Sequence, residues 1–310
     1  MAKRKKSFLG LTDKKREALF PYLMLSPAFI AIMVLSFYPI FLGLRLSFYD
    51  YTLLYQSRPF VGWANYSELM KDTMFWSSFS NTILYTVLNG VGSTIIGLGV
   101  ALLLNRDSRI RGFLRSFTLF PWVVPSVVIS YVWMWFFQRD FSPINDVLLR
   151  LGLIAEPISF LGNLDWGIGP FTLPFLSVLA VRLWSSFPMK AVMLLAGLQS
   201  IPAELYEAAR IDGAGGWKQF RHVTLPMLVP VLGVILTLTL IWNFGHFDTN
   251  YLMTQGGPKN ATNVMAVAVY LMGFGQFRLG YAAAMGGIML LVTSVIGLVY
   301  IGMLARRDDL

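Results

Sequence analysis

Between residues 19 and 48 the chain is apolar with a single charge, Arg45. Five more apolar stretches follow at about 80–104, 114–137, 171–198, 225–250 and 280–304. Each supplies about the 20 residues that carry a helix across roughly 30 Å of hydrocarbon. In lipid every backbone N–H and C=O has to be satisfied within its own segment, so runs of this kind fold as helices. This constrains the chain more than any motif does: the expectation is an all-α integral membrane protein of six transmembrane helices. Composition agrees, with 56% hydrophobic and 13% charged residues, where soluble domains carry about a quarter charged.

Charge placement orients the spans. Lys3, Arg4, Lys5, Lys6, Lys14, Lys15 and Arg16 precede the first apolar run. That run is too long for the core of a cleaved signal, and no small-residue cleavage site follows, so it reads as a retained span kinked at Pro27 and Pro39. With this end inside, Arg106, Arg109, Arg111 and Arg115, then Arg210, Lys218 and Arg221, then Arg306 and Arg307 share the same side. Arg58, Lys71, Arg139, Arg150, Lys259 and Arg278 lie on the other. Cations favour cytoplasmic loops, so both termini are expected in the cytoplasm. The expected division is a basic N-terminus at 1–19, a transmembrane domain at 20–304 and a tail at 305–310. The net charge of +9 is thereby topology, and no nucleic-acid partner is implied.

Several chemistries are excluded. The chain has no cysteine and only two histidines, His222 and His246, expected on opposite membrane faces. A thiolate or histidine metal site and a Ser/His/Asp constellation have no residues to build them. No G-x-x-x-x-G-K-S/T loop is present, so any ATP used by a machine containing this chain is bound elsewhere.

Polar residues inside the runs mark a candidate solute path. Thr239, Asn243, His246 and Asn250 recur at helical spacing and are expected on one face of the fifth span, with Asp248 off that face near its outer end. Such side chains face a bundle interior or a wet cavity; interhelical hydrogen bonding alone is the alternative. Arg182, mid-span in the fourth run, is expected to pair with a carboxylate or backbone carbonyl, for structure or along the path. Lys190 is expected to snorkel from the inner end, and Arg45 to anchor at the outer interface. Residues 264–276 are too short to cross and read as an interfacial helix.

One polar island remains, at residues 200–224. Glu207-Ala208-Ala209-Arg210-Ile211 is strong helix former, Asp212-Gly213-Ala214 offers a stop in which Gly213 can take a positive φ, and Trp217 to Val223 resumes helical character. Pro226 then marks the entry to the fifth span. Taken with Phe220, Leu225, Pro226 and Pro230, the pattern resembles the cytoplasmic coupling loop of ABC-importer permeases. Two further stretches are similar to the carbohydrate-uptake group of that family: Phe247-Asp248 through Tyr251, Thr254 and Gly256-Gly257-Pro258, and Gly280-Tyr281-Ala282-Ala283-Ala284. Val61-Gly62-Trp63-Ala64-Asn65-Tyr66 resembles a turn that the same group carries after its first span, with a packed loop around a buried Trp63 as the plain structural reading.

The resemblance implies a type I ABC importer permease in a bacterial or archaeal cytoplasmic (inner) membrane. In that family the chain pairs with a homologous second permease, docks on an ABC ATPase dimer and receives solute from an extracytoplasmic solute-binding protein. ATP and Mg would be bound by the partner ATPase and no cofactor by this chain, a transport subunit rather than an enzyme. Glu207, Ala208, Ala209, Asp212, Gly213, Ala214, Phe220, Leu225 and Pro226 would transmit the ATPase state. Thr239, Asn243, His246, Asn250, Asp248 and Arg182 would line the path of a sugar, polyol or glycerol 3-phosphate. The alternative is a secondary carrier or channel working without an ATPase.

Overall fold

The computed structural model describes residues 13–54 and 58–308, with side-chain surroundings between 20 and 302. The basic residues 1–12 and tail residues 309–310, expected in the cytoplasm, lie outside the described residues. In chain order the helices are α1 (Asp13–Ile32), α2 (Tyr38–Leu46), α3 (Ala64–Lys71), α4 (Thr73–Leu104), α5 (Arg111–Val123), α6 (Ser126–Phe136) and α7 (Pro143–Arg150). A two-residue hairpin, β1 (Gly167–Ile168) and β2 (Phe171–Thr172), precedes α8 (Leu173–Gln199). There follow α9 (Ala203–Ile211), α10 (Gly216–Gln219), α11 (Leu225–Phe244), α12 (Asp248–Thr254), α13 (Met265–Tyr270) and α14 (Leu279–Asp308).

Among the described residues five helical segments are long and apolar enough to cross a membrane: Phe20–Leu46, Thr73–Leu104, Leu173–Gln199, Gly216–Phe244 and Leu279–Gly302. The third expected span is not one helix. It breaks at Val124-Pro125 into α5 and α6, which meet at 90°. Pro125 disfavours helical backbone at Val124, which sits at ψ 132°.

Prolines shape two other spans without a sharp break. Wide π-turns occupy Met33–Phe37 and Phe220–Thr224, and the residue before each proline bonds five back, Tyr38 N–H to Met33 O and Leu225 N–H to Phe220 O. Pro39 and Pro226 follow directly. A proline clashes with the carbonyl four residues earlier, and a widened turn relieves that contact. α1 also carries Pro27 inside it without interruption of the helix. The fifth span likewise starts at Gly216 rather than at Pro226, so the second half of the polar island is continuous with it.

α4 is the spine. Its buried side carries Ser78, Asn81, Thr82, Tyr85, Asn89, Ser93 and Gly97, while Ile83, Val87, Val91 and Ile95 face outward. Lipid is as apolar as an aliphatic side chain, so the packed face of such a helix is small and polar. Gly97 lets α8 close in: a Cβ there would meet Ala191 N at 3.1 Å and Phe187 O at 3.2 Å. α11 packs beside this pair, and Leu104, Leu194, Leu198 and Leu228 form the core at the end nearer the polar island. By contrast, no residue of Phe20–Leu46 is buried.

At the other end, short elements are pinned by polar contacts. Asn65 Nδ2 donates to Ser47 O at 2.8 Å and Tyr49 O at 3.0 Å, after a turn at Gly62 with φ +58°. Trp63, expected to be buried, is 70% exposed and meets Phe48 edge-on; Asn65 is the buried residue. Gly280 abuts Tyr49 O, which would lie 2.0 Å from an added Cβ. Beside it Tyr281 Oη donates to Asp72 at 2.5 Å, and Arg278 donates to Glu68 at 2.8 Å. The 264–276 segment, expected as an interfacial helix, packs into the bundle. It forms α13 and a π-turn (Leu271–Gly275), buries Met265, Val267, Ala268 and Met272 against α4 and α14, and donates from Met265 N–H to Thr82 Oγ1 at 2.7 Å.

Candidate functional site

Two regions hold the residues singled out above. The first is the polar island. α9 ends in a Schellman motif: Gly213, at φ +76°, donates to Arg210 O at 3.0 Å, and Ala214 N–H reaches Ala209 O at 2.8 Å. The backbone turns there, Gln219 Nε2 donates to Ala214 O at 2.8 Å, and α10 leads into the fifth span. Tyr206 Oη lies 3.0 Å from Thr224 Oγ1, and Trp217 stacks on Phe220 at 5.5 Å. These contacts make a fixed projection. Glu207, Ala208, Asp212, Gly213 and Pro226 are exposed, while Ala209, Ala214, Phe220 and Leu225 are half-buried behind them. Ile211 is 87% exposed and Trp217 72%, and among the described residues Glu207 and Asp212 form no ion pair.

The second region is a cavity of about 110 Å³ between α4, α5, α8 and α11. Arg182, Thr239 and Asn243 line it together with Asn89, Ser186, Lys190, Trp122 and Trp242. Arg182 Nη2 donates to Asn243 Oδ1 at 3.2 Å, so its partner is a side-chain amide and not the expected carboxylate or backbone carbonyl. Lys190 does not snorkel. It is 5% exposed and donates to Ser93 Oγ, which in turn donates to Asn89 O; Ser186 Oγ donates to Asn89 Oδ1 at 3.0 Å.

The single polar face expected on the fifth span does not exist as one helix. α11 ends at Phe244, two residues before His246. Thr239 and Asn243 stay with the cavity, although Thr239 Oγ1 donates to Ile235 O at 2.7 Å within its own helix. His246 stacks its ring on Tyr85 at 6.3 Å and bonds Thr249 Oγ1 at 3.1 Å. Asp248 opens α12 and accepts from Ser126 Oγ at 2.7 Å, tying the bend of the third span to the end of the fifth. Asn250 donates to Thr262 O at 3.3 Å inside the loop around Gly256-Gly257-Pro258, which Asn81 also holds by bonds to Asn260 O and Asn263 O. Asn89, Ser93, Ser186 and the two tryptophans went unnoticed in the sequence. The signal was present: small and polar residues recur every three or four positions from Ser78 to Gly97 on an otherwise apolar run. No group of His, Cys, Asp and Glu among the described residues is arranged to hold a metal ion.

Residues 93–308 match the family described as "Binding-protein-dependent transport system inner membrane component". The sulfoquinovosyl glycerol transport system permease protein SmoG of Agrobacterium fabrum is 33% identical over 303 residues, 97% of this chain and 94% of that protein. The trehalose/maltose transport system permease protein MalF of Thermococcus litoralis is 33% identical over 296 residues, covering 95% and 97%. A solved bacterial ABC transporter described as involved in the import of the acidic polysaccharide alginate shares the fold, with TM-score 0.78 and 24% identity over 95% of this chain and 97% of that one.

Proposed function

This chain belongs to the family of binding-protein-dependent transport system inner membrane components, and on that premise we propose how its two sites divide the work of a sugar importer. It is a multi-pass transport subunit. The relatives named above carry sugars or sugar derivatives, which supports the same broad solute class here. The exposed projection 203–219 is the docking element for an ABC ATPase dimer that binds ATP and Mg. Glu207, Asp212 and the exposed Ile211 and Trp217 offer charge and apolar surface to that partner.

The observation that carries this reading is the Schellman stop at Gly213. It fixes the direction of α9 against a segment continuous with the fifth span. A push on α9 is therefore delivered through Tyr206–Thr224 and α10 to α11, which borders the cavity. ATP binding and hydrolysis then shift the balance between inward- and outward-open cavities, because the ATPase surface fits the projection differently in its two states. The first span, unburied from Phe20 to Leu46, supports a homologous second permease as the partner that covers it.

The test is purification of the complex from membranes, with ATP hydrolysis measured with and without the solute-binding protein. A bound ATPase whose turnover rises with the binding protein is expected. Solute uptake by this chain with no ATPase bound would instead favour a secondary carrier or channel.

A further inference from the structure

Among the residues lining the cavity, the buried polar atoms left without a partner are N–H donors, Asn243 Nδ2, Arg182 Nε and Asn89 Nδ2; the neighbouring Tyr85 Oη, outside the lining, is also without one. Arg182 sets the orientation of Asn243, because a guanidinium can only donate and so takes the amide oxygen. Lys190 has one ammonium donor on Ser93 Oγ. No Asp or Glu lines the cavity, and among the described residues neither cation forms an ion pair. Asp248, beyond the end of α11, acts on Arg182 only at longer range: its carboxylate is bonded to Ser126 Oγ and makes no ion pair with the guanidinium. Arg182 and Lys190 are eight residues apart on α8, which puts them on one side of the helix about 12 Å apart along its axis.

Positive charge held at membrane depth without a directly paired counter-charge is costly. A helix clamp between α4 and α8 accounts for the Lys190–Ser93 bond, but it leaves Arg182 Nε and Asn243 Nδ2 unexplained. What the cavity lacks is negative charge: its lining oxygens, those of Ser185, Ser186, Thr239 and Asn89, are all neutral. Resting on the importer reading above, we infer that the solute crossing this cavity is an anionic sugar or polyol derivative, whose carboxylate, sulfonate or phosphate group is taken by Arg182 with Asn243. The planar guanidinium fork suits all three groups. Hydroxyls of the same solute reach Lys190 and Asn89, and Trp122 and Trp242 supply apolar faces for its C–H surface.

The experiment is uptake into proteoliposomes holding the complete complex, with two matched pairs of labelled probes. One pair is a glucuronate-terminated disaccharide and its glucose-terminated counterpart; the other is glycerol 3-phosphate and glycerol. The charged member of at least one pair should enter tenfold faster than its neutral counterpart. Arg182→Gln should lower that charged-to-neutral ratio tenfold, and Arg182→Lys, which keeps the charge but not the fork, should lower it less. Where Arg182→Gln fails to assemble, Asn243→Asp, which neutralises the guanidinium from beside it, should lower the ratio in the same way. Uptake confined to neutral probes, uptake of none while the binding protein still stimulates ATP hydrolysis, or an unchanged ratio in the variants would overturn the inference. A complex that binds no ATPase would instead bring down the importer reading.

Discussion

Arg182 donates to the side-chain oxygen of Asn243 across 3.2 Å, joining the middle of α8 to the last turn of α11 at the wall of one cavity. α8 and α11 also flank the projection proposed to meet the ATPase, since that projection lies between them in the chain. A change in the angle between the two helices therefore reaches this hydrogen bond directly.

Asn243→Ala removes the acceptor and leaves Arg182 Nη2 without its partner. It also removes the Nδ2 donor offered to the solute's anionic group, and losing a hydrogen bond to a charged group costs about 1.5–3 kcal/mol, roughly a 10- to 150-fold change in the solute-bound state. Uptake by the reconstituted complex should drop within that range, with the amount of assembled complex on size-exclusion chromatography unchanged. Normal uptake, or failure to assemble, would assign this pair to structure alone.

Gly213→Val places a β-branched side chain at φ +76° with nothing within 4 Å of the added Cβ. The penalty is then backbone strain alone, about 1–2 kcal/mol and more for a branched residue. Membrane insertion should survive, while ATPase co-purification and binding-protein-stimulated hydrolysis fall. Gly213→Asn should be milder, because Asn tolerates the left-handed region. Glu207→Ala should weaken docking more gently than Gly213→Val. Full docking and stimulation by the valine variant would remove the coupling assignment.

Gly280→Ala tests a different constraint. The new Cβ would sit 2.0 Å from Tyr49 O, a backbone atom that moves only with its whole segment. Overpacking of this kind costs about 1–3 kcal/mol or more. The melting temperature of the purified protein should fall, whereas Gly286→Ala, with nothing within 4 Å, should melt like the unaltered chain. Equal melting of the two variants would refute the close approach.

Topology is open to a direct check. Reporter fusions after residue 310 and inside 205–220 should both read as cytoplasmic, given sixteen Lys/Arg assigned to that side against six on the other. An external reading at either site would overturn the orientation and, with it, the docking role of α9.

The family and the spans were legible because both are local properties. An apolar run long enough to cross lipid has to satisfy its own backbone, and Asp212-Gly213-Ala214 specifies a helix stop through the conformational freedom of one glycine. What periodicity alone misjudged were the places where the chain changes direction. Thr239, Asn243, His246 and Asn250 fit one helical face on paper, but α11 stops at Phe244 and Asn250 turns into a loop held by Asn81. Pro125 was visible as a residue yet not as a 90° bend, because the same proline chemistry at Pro39 and Pro226 is absorbed by a π-turn.

The sequence by itself therefore determined that this is a membrane-embedded helical permease, where its spans lie, and that a glycine-stopped projection interrupts them. Only the tertiary structure decided which polar residues share a site. Lys190 reads as a snorkelling end residue until α4 supplies Ser93, and Asn89 belongs to no site until Ser186 and the cavity meet it. The reason is that lipid makes an isolated polar side chain expensive without saying which helix satisfies it. That choice belongs to the packing of α4 on α8 at Gly97 and of α11 beside them, contacts between residues far apart in the chain.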